Sequence, residues 1–218
     1  MTVLNHRQVE GLYDRIASRY ETLLLGFGLL GTPAQRRILV RKLNLRSGNT
    51  VVDLCCGTGA NFSALQKAVG ASGTIIGVDL SAAMLEQANA RCRREGWQNV
   101  RLVKSAVETF NIPPEARAVL STFGLEMVPS YARIIEKVAS QLDEGAHLGL
   151  LGLKHPEGWP EWLIDIGVWL TSSFGVSRDY ADFQPWKAAA EAMDIINYQE
   201  FLFGAAYRCV AVHASIEE

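Results

Sequence analysis

Four cysteines in 218 residues, at 55, 56, 92 and 209, are too few and too unevenly spaced to build a structural metal site. Cys55 and Cys56 are neighbours and cannot readily share one ion, so each reads as a small buried hydrophobe. No secretory leader is evident, so the thiols are expected to stay reduced in a cytoplasmic location. No apolar run approaches the ~18 residues of a membrane span. Charge of one sign is also missing. Lysine and arginine total 21 against 23 acids, a net charge of −2, so no basic field marks a nucleic-acid partner. Arg91, Arg93 and Arg94 form a small basic cluster that suits the C-terminal end of a helix. Repeats, low-complexity segments and linkers are absent. Residues 1–218 therefore read as one domain, with a helical cap over 1–45 and an insertion at 155–193 covering a substrate.

What is present is an alternation of apolar runs and helical stripes. Strands are predicted at 50–55, 74–79, Val100–Lys104, Ala118–Phe123 and His147–Leu153. Between them lie helices carrying Phe62, Leu65 and Val69, then Met84, Leu85 and Ala88 behind a Ser81 cap, then Tyr131, Ile134, Ile135, Val138 and Leu142. Thr32 and Gln35, with Pro33 between, read as a capping box opening an earlier helix. An opening helix carrying Tyr13 and Tyr20 runs into the apolar stretch 23–30, which reads as a buried connector or a flap over a greasy ligand. The end of the chain differs. A short amphipathic helix opens at Pro160, another spans about Pro185–Met193, and two strand-like runs joined at Gly204-Ala205 read as a hairpin. The fold class is α/β, Rossmann-like, with a mainly parallel sheet and helices on both faces.

The stretch Val51-Val52-Asp53-Leu54-Cys55-Cys56-Gly57-Thr58-Gly59 is a strand running into a small-residue loop. Gly57 and Gly59 permit positive φ and clear side chains that would hold a ligand away. Twenty residues past Gly59 the second run ends in Asp79, placed to grip the hydroxyls of a ribose. Together they indicate a nucleoside-containing cofactor. Phe62 stands where a dinucleotide loop has its third glycine, which disfavours NAD or FAD. No Gly-Lys-Ser/Thr follows, which excludes a P-loop.

Residues 51–59 resemble the first motif of class I S-adenosylmethionine-dependent methyltransferases, with Cys55 where the first glycine is usual. Within that superfamily the ubiquinone/menaquinone C-methyltransferases and related phospholipid N-methyltransferases look closest. Tyr13 to Tyr20, Ile76 to Leu85, and Phe123-Gly124-Leu125 with Val128 carry the resemblance, in the expected order. It implies a seven-stranded sheet ending in an antiparallel hairpin, with S-adenosylmethionine as cofactor. It also implies in-line methyl transfer to a small hydrophobic acceptor, either a quinol or aromatic ring or a lipid amine. Asp53, Cys55, Gly57 and Gly59 would then lie beside the amino-acid part of the cofactor, and Phe123 near the end of the fourth strand. Asp53 is equally a carboxylate that organises the loop. Leu80 and Met84 would pack on the adenine. Ser105 and Ala106 occupy the segment that contacts its amino group, Ser105 standing where acid is frequent. Tyr20 either packs or closes over the cofactor.

Glu126 and His155 follow the fourth and fifth strands and are the candidate bases. Glu126 can alternatively orient a substrate amine or pair with Arg133, and His155 can be a plain exposed loop residue. Trp159, Trp162, Trp169 and Phe174 crowd the segment expected to cover the acceptor. Peripheral membrane contact is compatible with these apolar segments. Two other readings remain: an NAD(P)-dependent reductase, and a protein that binds S-adenosylmethionine without turning it over.

Overall fold

The computed structural model describes residues 5–28 and 31–213, with the backbone alone at 21–28, 173 and 179. Seven strands form one sheet: β1 (Thr50–Leu54), β2 (Thr74–Asp79), β3 (Val100–Lys104), β4 (Ala116–Thr122), β5 (His147–Leu153), β6 (Asp194–Phe201) and β7 (Ala206–Val212). Their order is β3-β2-β1-β4-β5-β7-β6. The first five are parallel, and β7 runs antiparallel to both β5 and β6. The α-helices among the described residues are α1 (His6–Gly28), α2 (Thr32–Lys42), α3 (Phe62–Val69), α4 (Ala82–Glu95), α5 (Tyr131–Gln141), α6 (Glu161–Thr171) and α7 (Pro185–Ala192).

Period-two alternation divides the core between the two faces of the sheet. Val52, Leu54 and Val119 pack with Ile134, Ile135 and Val138 of α5 and with Ala188 and Ala189 of α7. Val51, Ala118 and Leu120 pack with Leu39 of α2, Phe62 and Leu65 of α3, and Leu85 and Ala88 of α4. Helices on both faces explain why the central strands read as continuous apolar runs. Phe62, Leu65 and Val69 are fully buried. Each contributes roughly 1.5–3 kcal/mol of hydrophobic stabilisation.

The chain lays down β1, β2 and β3 in one direction, then returns to place β4 on the other side of β1. The C-terminal ends of β1 and β4 thus flank the switch point, where open α/β sheets take their ligands.

Several local expectations are corrected. The apolar stretch after Tyr20 is helical, α1 continuing to Gly28; its side chains and residues 29–30 lie outside the described part. Thr32 is not the N-cap of α2. Gly31, at φ 78°, is the N-cap, and Thr32 is already inside the helix and buried. Ser81, by contrast, caps α4 as expected, its Oγ accepting from Met84 N at 3.1 Å. At the chain's end, β6 stops at Phe201, and Leu202 and Phe203 with Gly204 make the turn at positive φ.

Candidate active site

The loop after β1 turns on three residues with positive φ: Cys55 (55°), Gly57 (54°) and Gly59 (76°). Their roles differ. A Cβ added at Gly57 would meet nothing within 4 Å, so this edge of the loop is open to a ligand. A Cβ at Gly59 would sit 2.5 Å from the Phe62 ring, and one at Gly77 would sit 2.7 Å from the same ring. Gly59 therefore clears space for Phe62. The bulky residue at the dinucleotide fingerprint's third position is accommodated by glycines on two neighbouring elements. Cys55 occupies a backbone conformation that favours glycine, at a cost of roughly 1 kcal/mol. Arg91 donates from Nη1 to Gly59 O at 2.9 Å and braces the loop from α4, a role beyond the helix-end charge expected of it.

Asp79 closes the opposite side. Its Oδ2 accepts from Gly57 N at 2.8 Å and its Oδ1 from Ser81 N at 2.9 Å. Each oxygen keeps a further acceptor site. Burial raises its carboxyl above the usual range, and the backbone N–H bonds oppose that shift. Ser105 donates its hydroxyl to Ala106 O, and its backbone N–H bonds Asp79 O at 3.0 Å, linking β3 to the Asp79 strand end. Leu80 is half-buried, whereas Met84 is 1% exposed and belongs to the interior face of α4.

Asp53 sits behind the loop, fully buried, with both carboxylate oxygens accepting from Asn61 Nδ2 at 2.9 and 3.0 Å. Asn61 also donates to Thr122 Oγ1 at 3.0 Å and accepts from Arg36 Nη1 at 2.9 Å; Arg36 bonds Thr122 Oγ1 as well. Burial pushes the Asp53 carboxyl up to about 7, with the Asn61 bond and the Arg36 charge pulling it down. Asp53 thus holds the start of α3 through the Asn61 side chain, where the sequence reading expects backbone N–H donors. Arg36, Asn61 and Thr122 carry no motif signal, because α2, the α3 start and the β4 end meet only in the fold.

Helix α1 straps the ends of β2 and β3. Asp14 Oδ1 accepts from Ser81 Oγ at 2.5 Å and Ala83 N at 3.3 Å, Glu10 pairs with Lys104 at 2.8 Å, and His6 meets Glu108 at 3.0 Å. This holds Tyr13 and Tyr20 over the site, their ring centroids 6.2 Å apart, with Phe174 5.6 Å from Tyr20. Tyr13 donates its hydroxyl to Phe174 O at 3.2 Å. Burial holds its phenol well above the usual range, with the Tyr20, Asp79, Glu126 and Cys55 charges adding to the shift. Tyr13 thus feels both the Asp79 side and the Glu126 side of the site, a position the sequence assigned only to Tyr20.

Beyond Phe123 lies a cavity of about 1360 Å³. Tyr13, Tyr20, Phe123, Glu126, Met127, Leu153, Trp159 and Phe174 are among the residues on its wall. Phe123 has φ 57°, and its ring lies 5.0 Å beneath the Arg36 guanidinium. Glu126 is held against β5, where Leu153 N donates to Oε1 at 3.4 Å and a Cβ on Gly152 would fall 2.8 Å from the carboxyl. Burial pushes its carboxyl up to about 7. Its partner is the β5 backbone, not the exposed Arg133. His155 is exposed and lines the same cavity at its rim. The segment expected to cover the acceptor does so only in part. Trp159 and Phe174 face the cavity, but Trp162 and Trp169 point outward, 64% and 73% exposed.

The model of the ubiE/COQ5 methyltransferase family matches residues 1–160. The chain is 26% identical over 157 residues to a demethylmenaquinone methyltransferase of Lactococcus lactis, covering 72% of this chain and 62% of that protein. It is 32% identical over 167 residues to a 2-phytyl-1,4-naphtoquinone methyltransferase of Synechococcus elongatus, covering 72% and 68%. The chain thus spans about three-fifths of the length of the Lactococcus relative. Among solved structures, geranyl diphosphate C-methyltransferase from Streptomyces coelicolor superposes with a TM-score of 0.66 at 16% identity, covering 89% of this chain and 83% of that one. The [4+2]-cyclase SpnF gives a TM-score of 0.69 at 15% identity, covering 91% and 76%. At such identities the structures establish the fold alone. The family match ends at Pro160, so α6 and everything after it lie beyond it.

Proposed function

The chain belongs to the ubiE/COQ5 methyltransferase family, and from that premise we propose that it methylates a hydrophobic acceptor bearing a hydroxylated ring, with S-adenosylmethionine as donor. The observation that carries the acceptor half is the cavity beyond Phe123 with Glu126 on its wall. Its volume of about 1360 Å³ exceeds the roughly 300–1,000 Å³ typical of small-ligand sites, which suits a ring with an extended apolar tail. The relatives' names point to quinone-type rings.

The residues present fit the donor. Gly57 leaves the loop edge open, and Asp79 keeps acceptor sites for two ribose hydroxyls. Cys55, Leu80 and the Ser105-Ala106 turn complete the rim on that side, and α1 with Tyr13 and Tyr20 excludes water from above. The bound donor supplies a methyl group on a sulfonium, which departs as a neutral thioether. The protein's own task is alignment of acceptor and methyl in a dry cavity, a contribution of several kcal/mol.

A ring carbon becomes nucleophilic when its neighbouring hydroxyl loses a proton. Glu126, with a carboxyl pushed to about 7, accepts that proton near neutral pH. Tyr13 and Phe123 flank the ring. His155, at the rim, stands where a proton leaves to solvent.

Methyl transfer from donor labelled on its methyl group, to a short-tailed hydroquinone and to a lipid amine, tests this reading. Label on a ring carbon supports it. Label on nitrogen would replace the ring by the amine, and no transfer to either would remove the proposed reaction.

A further inference from the structure

Helix α6 is apolar on nearly its whole circumference. Leu163, Ile164 and Val168 face the cavity and the exposed Leu170 stands at its edge, while Trp162, Ile166 and Trp169, spaced i, i+4 and i+7, face out. Its two acids, Glu161 and Asp165, form one narrow stripe held by Arg178 at 2.6 and 2.8 Å. Of the seven large apolar side chains exposed among the described residues, four belong to α6, three of them on its outer face. A fifth is Phe203, 93% exposed at the tip of the β6–β7 hairpin. The two places are joined: Trp159, just before α6, donates from Nε1 to Phe203 O at 3.0 Å. Exposed apolar surface gathered at one rim marks an interaction face, since scattered single residues are the rule elsewhere.

The geometry points to a lipid bilayer surface as the partner of this face. Two tryptophans beside aliphatic side chains are the composition that settles at the headgroup–acyl boundary. Exposed Arg37, Arg41 and Lys67 line the same cavity and complement anionic headgroups. No helix among the described residues is long and apolar enough to cross a membrane, so attachment is by lying on the surface. The cavity would then open toward the acyl layer, and a hydrophobic acceptor would enter without crossing water. That last consequence rests on the function proposed above; the attachment itself does not.

Co-sedimentation of the whole chain with phosphatidylcholine vesicles, with and without phosphatidylglycerol, reads the attachment in the absence of donor and acceptor. The chain should bind, more tightly to the anionic vesicles. Trp169→Ser or Trp162→Ser should each weaken binding about tenfold with unchanged thermal melting, because both side chains are already in solvent. Arg37→Gln with Arg41→Gln and Lys67→Gln should abolish the preference for anionic lipid. Three results would overturn the proposal: wild-type chain left in the supernatant with both vesicles, tryptophan variants that sediment like wild type, or a solution dimer that Trp169→Ser dissolves. The last would assign the face to a second copy.

Discussion

Cys55 and Gly124 share one space at the switch point: a Cβ placed on Gly124 would lie 2.4 Å from Cys55 Cβ and 3.0 Å from its Sγ. Cys55 stands where the family pattern has glycine, at φ 55°, and the missing side chain on Gly124 makes room for it across the crevice. The ends of β1 and β4 therefore meet through the Cys55 side chain and the bare Gly124 backbone.

That contact predicts a coupled pair. Gly124→Ala should cost about 2 kcal/mol or more from overpacking, while Cys55→Gly should stay within about 1 kcal/mol of wild type, strain relief offsetting lost packing and added chain entropy. In the double variant the Gly124→Ala penalty should shrink by at least about 1 kcal/mol. Urea denaturation of the four proteins gives the cycle, and strict additivity would show that the two residues do not share the space.

Glu126 makes stability depend on pH. Its folded value of about 7 lies above the usual carboxyl range, so the folded state holds a proton that the unfolded state releases. Stability from this group is present at low pH and is lost as pH rises from about 4.5 through 7. Glu126→Gln should flatten that decline and leave the variant about 2 kcal/mol more stable relative to wild type at pH 8 than at pH 4.5. The same substitution should lower kcat by about 100-fold or more on a ring acceptor. Wild-type kcat/KM should rise with pH through about 7. A variant with full activity would leave Glu126 a structural carboxyl only.

Asn61→Ala removes the donor to both oxygens of buried Asp53. The loss should be about 2–3 kcal/mol at pH 8 and smaller near pH 5, where Asp53, pushed to about 7, is protonated in the fold. Thermal melts at the two pH values check it. An equal loss at both would mean that Asp53 is not the group Asn61 serves.

The sheet was readable because each central strand is an apolar run closed by turn residues, and because Ser81 and Phe62-Leu65-Val69 follow helix rules locally. Asp79 was readable from its place at a strand end. The network of Arg36, Asn61 and Thr122 was not, since its members are 25 to 86 residues apart and meet only when α2 crosses the end of β4. Thr32 misled because Gly31 supplies the cap through its own left-handed backbone. The tryptophans of α6 misled for another reason. An apolar stripe has the same spacing whether it covers a cavity or faces out, and α6 carries both. The fold itself does not decide the reaction, since a [4+2]-cyclase shares it.

The loop edge at Gly57 and the Asp79 carboxylate bonded to it are proposed to hold a sulfur nucleoside. Calorimetric titration of the chain and of Asp79→Ala with S-adenosylhomocysteine, with NADH as control, tests it most directly. The sulfur nucleoside alone should bind, and its binding should weaken by about 2 kcal/mol or more in the variant through loss of charge-assisted hydrogen bonds. Equal affinity in the two proteins, or heat from NADH alone, would contradict it.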